Sequence, residues 1–447
     1  MAPGPVGAPP EAIARIAHVI GGDQELDQLL DLVGTARLVL IGGANHGSHE
    51  LYDLRASLTR KLISQRRFAG VVVEGDWLDT LRVDRYVRRH GDDESAHDAL
   101  AAFERFPTWM WRNTDVAAFL EWLRLWNSHR NAEYRAGFYG LDLYSLHASI
   151  RAVLSLLDET DPAIASAARE RYSCFDHVSG AAEHHEGKAA FGVTGACEQE
   201  MVAQLVEMQR RHAARSGRMP NGGGWFRAIQ GTHVIKDAEA YYRAMFGGRS
   251  LAWNLRDTHL ADTLDMLANH LGEPGRPASL VVWAHNSHVG DARATAMGGR
   301  GELSLGQLMR QRHPGEVALI GMTTHTGLIR CAHDWDEPVT SGRVLPSLPG
   351  SWEELFHHAG APRFYVTAAS LRNVVGAGAD RLHRTIGVVY RPEDERRSHH
   401  YLTRLADQFD IVLHVDTTHA VTPLEAAPTM IERAVTHDLP ETTRARP

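Results

Sequence analysis

The feature that most constrains this chain is a set of short apolar runs of strand length, each ending in glycine or a polar residue. Arg37-Leu-Val-Leu-Ile41 runs into Gly42-Gly43, and Gly70-Val-Val-Val-Glu74 ends on a carboxylate. Between them Leu51, Leu54, Leu58 and Leu62 recur at three- or four-residue spacing, the period of a helix with one apolar face. Strand, helix, strand is a βαβ unit, and its strands are parallel because the connection crosses over. Uninterrupted apolar strands also need cover on both faces. Gly137-Phe-Tyr-Gly-Leu-Asp142 is a third strand, and the signal returns at 278–283, 317–321, 364–367, 386–390 and 411–415. Between these groups, 145–157, 162–173, 197–214, 225–246 and 249–271 carry helical spacing, broken at Pro162 and at Pro220-Asn-Gly-Gly-Gly224. The expected fold is therefore α/β: a parallel sheet flanked by helices in three layers, with a large helical insertion. Residues 1–10 read as a disordered tail, 11–144 as the first part of the core, with a short helix at 11–32. Residues 145–272 read as the insertion, and 273–447 as the second part of the core with a strand-rich C-terminal segment. Residues 335–362, rich in Pro and Gly, read as a long loop of the kind that often acts as a lid.

Composition narrows the class of partner. The formal charge of −8 and the lack of basic runs argue against nucleic acid or an anionic membrane surface. No apolar run approaches the roughly 20 residues of a membrane span. The opening MAPGPVGAPP lacks the basic-then-apolar order of a signal peptide, so a cytoplasmic location is expected. Three widely spaced cysteines suggest neither a disulfide framework nor a thiolate metal site. Most of the 27 histidines read as surface residues, among them the His-His-Glu run at 184–186.

In open α/β sheets ligands bind beyond the carboxyl ends of the strands. The first strand leads into Gly43-Ala-Asn-His-Gly-Ser-His-Glu50, the second into Glu74-Gly-Asp-Trp77, the third into Asp142-Leu-Tyr144, and the strand after the insertion into His285-Asn-Ser-His288. Four separate strands thus deliver imidazoles and carboxylates to one edge. A histidine takes a proton from water and returns it to a leaving group near neutral pH, and a carboxylate orients it. Arg55, about two turns into the following helix, leans over the same edge. There is no GxSxG elbow, P-loop, GxGxxG or HExxH, and no cysteine lies beyond a site strand, so nucleophilic Ser or Cys catalysis has little support.

Leu40-Ile-Gly-Gly-Ala-Asn-His-Gly-Ser-His-Glu50, with Arg55, resembles the Gly-Glu-Ala-Thr-His-Gly-Thr-His-Glu signature of the erythromycin esterase family. Val71-Val-Val-Glu-Gly-Asp-Trp77, Phe106-Pro-Thr-Trp-Met-Trp-Arg-Asn113, Phe138-Tyr-Gly-Leu-Asp-Leu-Tyr144, Trp253-Asn-Leu-Arg-Asp257, Trp283-Ala-His-Asn-Ser-His288 and Ile386-Gly-Val-Val-Tyr-Arg-Pro392 resemble further blocks in the same order. The resemblance runs from about residue 36 to 425. It implies an α/β core with a large helical portion and hydrolysis of an ester, in the named members a macrolide lactone, with neither metal nor cofactor. It places the water-activating base at His46 and other site residues at Arg55, Glu74, His285 and His288. Asp142, Tyr144, Trp109, Trp111 and His49 are candidates for contact with a small-molecule ester or lactone. One departure stands out: the signature Glu is Gly43 here.

Three functions follow from these residues. The first is an esterase or lactonase in which His46 activates water, Glu74 positions a histidine, and Arg55, His285 or His288 stabilises the oxyanion. The second is a zinc hydrolase using His46, His49, Glu74, His285 and His288. The third is a non-catalytic binding or biosynthetic accessory protein, permitted by Gly43. As bland alternatives, Glu74 and Arg55 form a buried pair, and Trp109 and Trp111 pack in the core.

Overall fold

A computed structural model describes residues 9–173, 203–204, 207–208, 222–245 and 249–424. The strands in chain order are β1 (His18–Val19), β2 (Leu38–Ile41), β3 (Gly70–Asp76), β4 (Gly137–Asp142), β5 (Leu280–Trp283), β6 (Val317–Cys331), β7 (Thr340–Val344), β8 (Arg363–Thr367), β9 (Arg381–Arg384), β10 (His400–Thr403) and β11 (Ile411–Thr418). Nine form one sheet in the order β1-β8-β11-β6-β2-β5-β3-β4, with β7 paired to β6. From β11 to β4 every neighbour is parallel, while β8, β1 and β7 join antiparallel. β9 and β10 make a separate two-stranded ribbon.

Alternation along the strands explains the three layers. Leu38 and Leu40 of β2, Val72 of β3, Leu280 and Val282 of β5 and Leu319 of β6 face one core. Their neighbours Val39, Ile41, Val71, Val73, Val281, Trp283 and Ile320 face the other. On the first face lie the helices Leu146–Thr160, Pro162–Tyr172, Gly222–Ala244 and Arg249–Leu271, which fall between β4 and β5 in sequence. On the second lie Asp23–Leu32, His49–Arg66 and Thr114–Ser128. Both faces of the central strands are thus dry, which is why those strands are apolar throughout.

The expected elements differ from the observed ones in four places, each with a local cause. The helix expected over 11–32 is two helices, Pro10–Ile16 and Asp23–Leu32, separated by β1 and by Gly21-Gly22. The loop expected over 335–362 contains β7 and the helix Trp352–His357; β7, Thr-Ser-Gly-Arg-Val, is a mostly exposed edge strand without apolar alternation. β6 runs ten residues beyond the expected 317–321, through a Thr- and His-rich stretch. The strand expected at 386–390 is irregular: Ile386 N donates to Ala44 O (2.9 Å) and Tyr390 N to Ala332 O (2.9 Å), so this backbone braces loops instead of pairing in a ladder. The helix expected over 197–214 falls largely outside the described residues.

Among the described residues no helix is long and apolar enough to cross a membrane.

Candidate active site

β5 lies between β2 and β3, although β2 and β3 are consecutive among the parallel strands in sequence. The chain leaves β2, passes over the β5 position through the helix His49–Arg66, and later returns to fill the gap. Connections therefore diverge at the carboxyl ends of β2, β5 and β3, and a crevice is expected there.

The ends of β2 and β5 are locked together at close range. A Cβ on Gly42 would overlap the Asn286 amide, whose Nδ2 donates to Met322 O of β6 (2.6 Å). Asn286 N donates to Gly43 O (3.0 Å). Arg55, fully buried, donates from Nε to Gly42 O (3.1 Å) and from Nη2 to Ala284 O (2.6 Å). Its Nη1 has no hydrogen-bond partner. Burial pulls the Arg55 pKa below its ordinary value, countered by Tyr52 and Glu74. The single Tyr52 hydroxyl proton is shared between Met110 O (2.7 Å) and His46 O (3.0 Å), which fixes the loop that presents His46.

The His46 ring stacks on that of His285, with centroids 4.9 Å apart. His46 is 5% exposed and its Nδ1 has no partner. Burial lowers its pKa to about 4 against the opposing pull of Glu74, so the imidazole is neutral at pH 7. The two nitrogens of His285 are occupied. Nε2 donates to Ile386 O (3.1 Å) and Nδ1 accepts from the Ser287 hydroxyl (2.8 Å). Burial and the neighbouring His46 hold His285 well below its usual pKa.

Glu74 accepts from His285 N at Oε2 (2.7 Å) and from Arg256 Nη2 at Oε1 (3.0 Å), with His288 Nε2 3.4 Å away. Burial alone would raise its pKa, but His288, His46 and Arg256 outweigh it and hold Glu74 ionised, far below the usual carboxylate range. His288 donates from Nδ1 to Asp257 (2.9 Å) and accepts from Arg256 Nη1 at Nε2 (3.0 Å). Burial opposes its charging, yet Asp257 and Glu74 lift its pKa above the ordinary value. The Trp253 indole lies flat against the His288 ring at 4.6 Å.

Arg256 is the hub. It holds both Asp142 oxygens, at 2.9 and 2.6 Å, while also reaching Glu74 and His288. One guanidinium from the helix Arg249–Leu271 thus joins the ends of β3, β4 and β5. Asp142, Glu74 and Tyr144 raise the pKa of Arg256 well above its usual value against the effect of burial.

The structure therefore brings His46, Glu74, His285, His288 and Arg55 to one edge, with Asp142 behind Arg256. Tyr144 lies beneath the guanidinium, 5.3 Å from ring centroid to Cζ. The partner of Glu74 is Arg256; no Glu74–Arg55 ion pair forms. Trp109 and Trp111 are buried in the core on the far face of the sheet, where Trp111 meets Tyr52 and Phe103 edge-on or tilted. His49 stands apart, half exposed and bonded to Asp115 (2.6 Å). Arg256, Asp257 and Asn286 were not singled out from the sequence as site residues, although all three lie in motifs quoted for the resemblance. Among the described residues, the one trio of His and carboxylate donors close enough for a metal lies elsewhere, in the helical insertion.

The erythromycin esterase family model matches residues 63–418, most of the chain. The chain belongs to the erythromycin esterase family. That match begins after the loop carrying His46. Solved structures of similar fold cover more than nine-tenths of the chain. A succinoglycan biosynthesis protein is 18% identical, with a TM-score of 0.73 over 93% of this chain and 98% of its own. A protein from Bacillus cereus is 15% identical, with a TM-score of 0.74 over 93% and 98%. A mutant of the erythromycin esterase EreC in its open conformation is 16% identical, with a TM-score of 0.65 over 94% and 99%. At these identities the likeness carries the fold, and family membership supports a hydrolase-like function.

Proposed function

We propose that this erythromycin esterase family member hydrolyses an ester or lactone by direct attack of water, with His46 as the base. The observation that carries the reading is the state of His46: a neutral imidazole, buried, with an unpartnered nitrogen, beside a carboxylate held ionised. Water placed at the ring's other nitrogen, Nε2, which is not sealed off, gives up its proton as it attacks the carbonyl carbon. The same proton then passes to the leaving alkoxide, and acid and alcohol are released. Of the cationic groups, Arg55 and Arg256 are the ones able to receive negative charge; His288 is not, since its Nε2 lone pair already accepts from Arg256. Nor is His285, because both its nitrogens are engaged; it braces the His46 ring. The reading is tested by incubating the protein with macrolides and simple esters and following a gain of one water by mass spectrometry. Turnover of none of them counts against it.

The acid limb of kcat/KM should lie near pH 4, well below that of an ordinary histidine near 6.5. The same shift affects stability. The unfolded histidine takes up its proton near pH 6.5 while the folded one stays neutral to about 4, so stability falls as pH drops through that window. Rates are therefore to be taken only where near-UV circular dichroism is unchanged. A limb near 6.5 would assign the base to another group.

Gly43 is occupied space. A Cβ there would stand 2.6 Å from Arg55 Nη2 and 3.1 Å from both Arg55 Cζ and Asn45 O. Gly43→Glu must push the guanidinium off the Ala284 carbonyl. The expected result is lower turnover and a stability loss of about 1–3 kcal/mol, the usual range for overpacking. A rise in turnover would mean that Arg55 re-pairs with the new acid, and that the natural site is a weakened form of the family's.

A further inference from the structure

We infer that the helical insertion holds a binding site for a zinc-class divalent cation, formed by His233, Asp237 and His259 and separate from the candidate active site. His233 and Asp237 are four residues apart on the helix Gly222–Ala244, hence on one face. His259 comes from the adjoining helix Arg249–Leu271. One donor atom from each of the three lies within 4.8 Å of the others. Asp237 Oδ2 is the shared corner, 3.3 Å from His233 Nδ1 and 2.7 Å from His259 Nδ1. The two imidazoles stack at 5.1 Å and 23°, so both Nδ1 atoms turn toward that oxygen.

The site has the properties of a ligand set and not only of an ion pair. His233 is 7% exposed, and its Nδ1, aimed at the shared corner, is buried without a hydrogen bond. A neutral imidazole with an unused lone pair is what a metal needs, and burial keeps His233 neutral, its pKa lowered to about 4. The other Asp237 oxygen is held by Lys236 (2.7 Å), which leaves Oδ2 for monodentate binding. His259 is fully buried, and its Nε2 meets Thr263 Oγ1 (3.3 Å), which in turn accepts from Gln230 Nε2 (2.7 Å). Such an outer partner fixes the ring and tautomer of a metal-binding histidine. Zinc bonds of about 2.0–2.1 Å in a tetrahedron set ligand atoms about 3.4 Å apart. The His233–Asp237 spacing already fits; the His259–Asp237 pair must open by about 0.7 Å. Two histidines and one carboxylate leave a fourth position for water.

The test uses the full chain, stripped by chelator and titrated with Zn²⁺ alone, then with Co²⁺. One Zn²⁺ should bind per chain, the Tm should rise by a few degrees, and Co²⁺ should show the visible bands of a tetrahedral N/O site. His233→Ala and Asp237→Asn should each weaken uptake at least tenfold while their metal-free Tm stays near that of the stripped wild type. His46→Ala should bind Zn²⁺ as the wild type does. The inference is overturned if no saturable uptake occurs, if both ligand variants bind unchanged, or if binding is lost in His46→Ala, which would move the metal to the candidate active site. Esterase activity enters none of these readouts, so failure here leaves the proposed function standing, and the reverse holds too.

Discussion

His46→Ala is expected to lower turnover by about 10²–10⁴-fold, the usual worth of a positioned acid–base group, while the fold survives. The two halves of this expectation come from the same geometry. His46 makes no ladder or network bond through its ring; its Nδ1 is free, and its one described ring contact is the stack on His285. The loop is held instead by backbone bonds that an alanine keeps: Tyr52 to His46 O, and Arg330 N to Gly47 O (2.9 Å). Removing the ring should therefore cost on the order of 1 kcal/mol, typical of a point mutant that breaks no buried network. The measurements are kcat/KM on whichever ester the wild type cleaves, and the urea midpoint. Turnover within threefold of wild type would remove His46 from the chemistry. A collapsed midpoint would make it a structural residue.

The sheet edge was legible because parallel central strands announce themselves. Their apolar runs are forced by burial on both faces, and the residue types change abruptly where each strand ends. That rule alone places His46, Glu74, Asp142, His285 and His288 in one region. β7 was not legible for the converse reason: an exposed antiparallel edge puts no apolar constraint on its residues. The far half of β6 is largely buried or half-buried, but Thr323, Thr324, His325 and Thr326 break the apolar run that marks the other strands. Arg256 and Asp257 were hidden differently. They sit on a helix in the insertion, more than a hundred residues from β3 in sequence, and no strand end points to them. The signal was present in Trp253-Asn-Leu-Arg-Asp257, where an arginine and an aspartate interrupt a buried helix, but only the tertiary contacts show which carboxylates that arginine joins. The same contacts explain why Arg55 and Glu74, an obvious pair on paper, are not partners. Arg55 is used to tie β2 to β5 through backbone carbonyls, and Glu74 is bound from the other side.

Arg256→Met should be the most damaging single change to this edge, because it removes a cation from between buried acids. Glu74 and Asp142 are 8% and 3% exposed, and each depends on that guanidinium. Breaking one side of a buried charge pair typically costs about 3–5 kcal/mol, since the remaining charge is left without compensation. The pH dependence separates this from lost packing. Glu74 is held ionised in the native state far below the unfolded value of about 4.3, so its contribution is present above that value and lost as pH falls. Without Arg256 the folded pKa rises, and a protonated Glu74 no longer needs the cation. The gap between wild type and Arg256→Met in urea should therefore be largest at pH 7 and shrink toward pH 4. A gap that stays constant with pH would reduce Arg256 to a packing residue. Arg256→Lys separates charge from shape. Lysine restores a cation near Glu74, and with it much of the stability, but a point charge cannot grip both Asp142 oxygens while also reaching His288. Turnover should then stay low in the lysine variant even where stability recovers, because Asp142, Glu74 and His288 are no longer held together by one planar group.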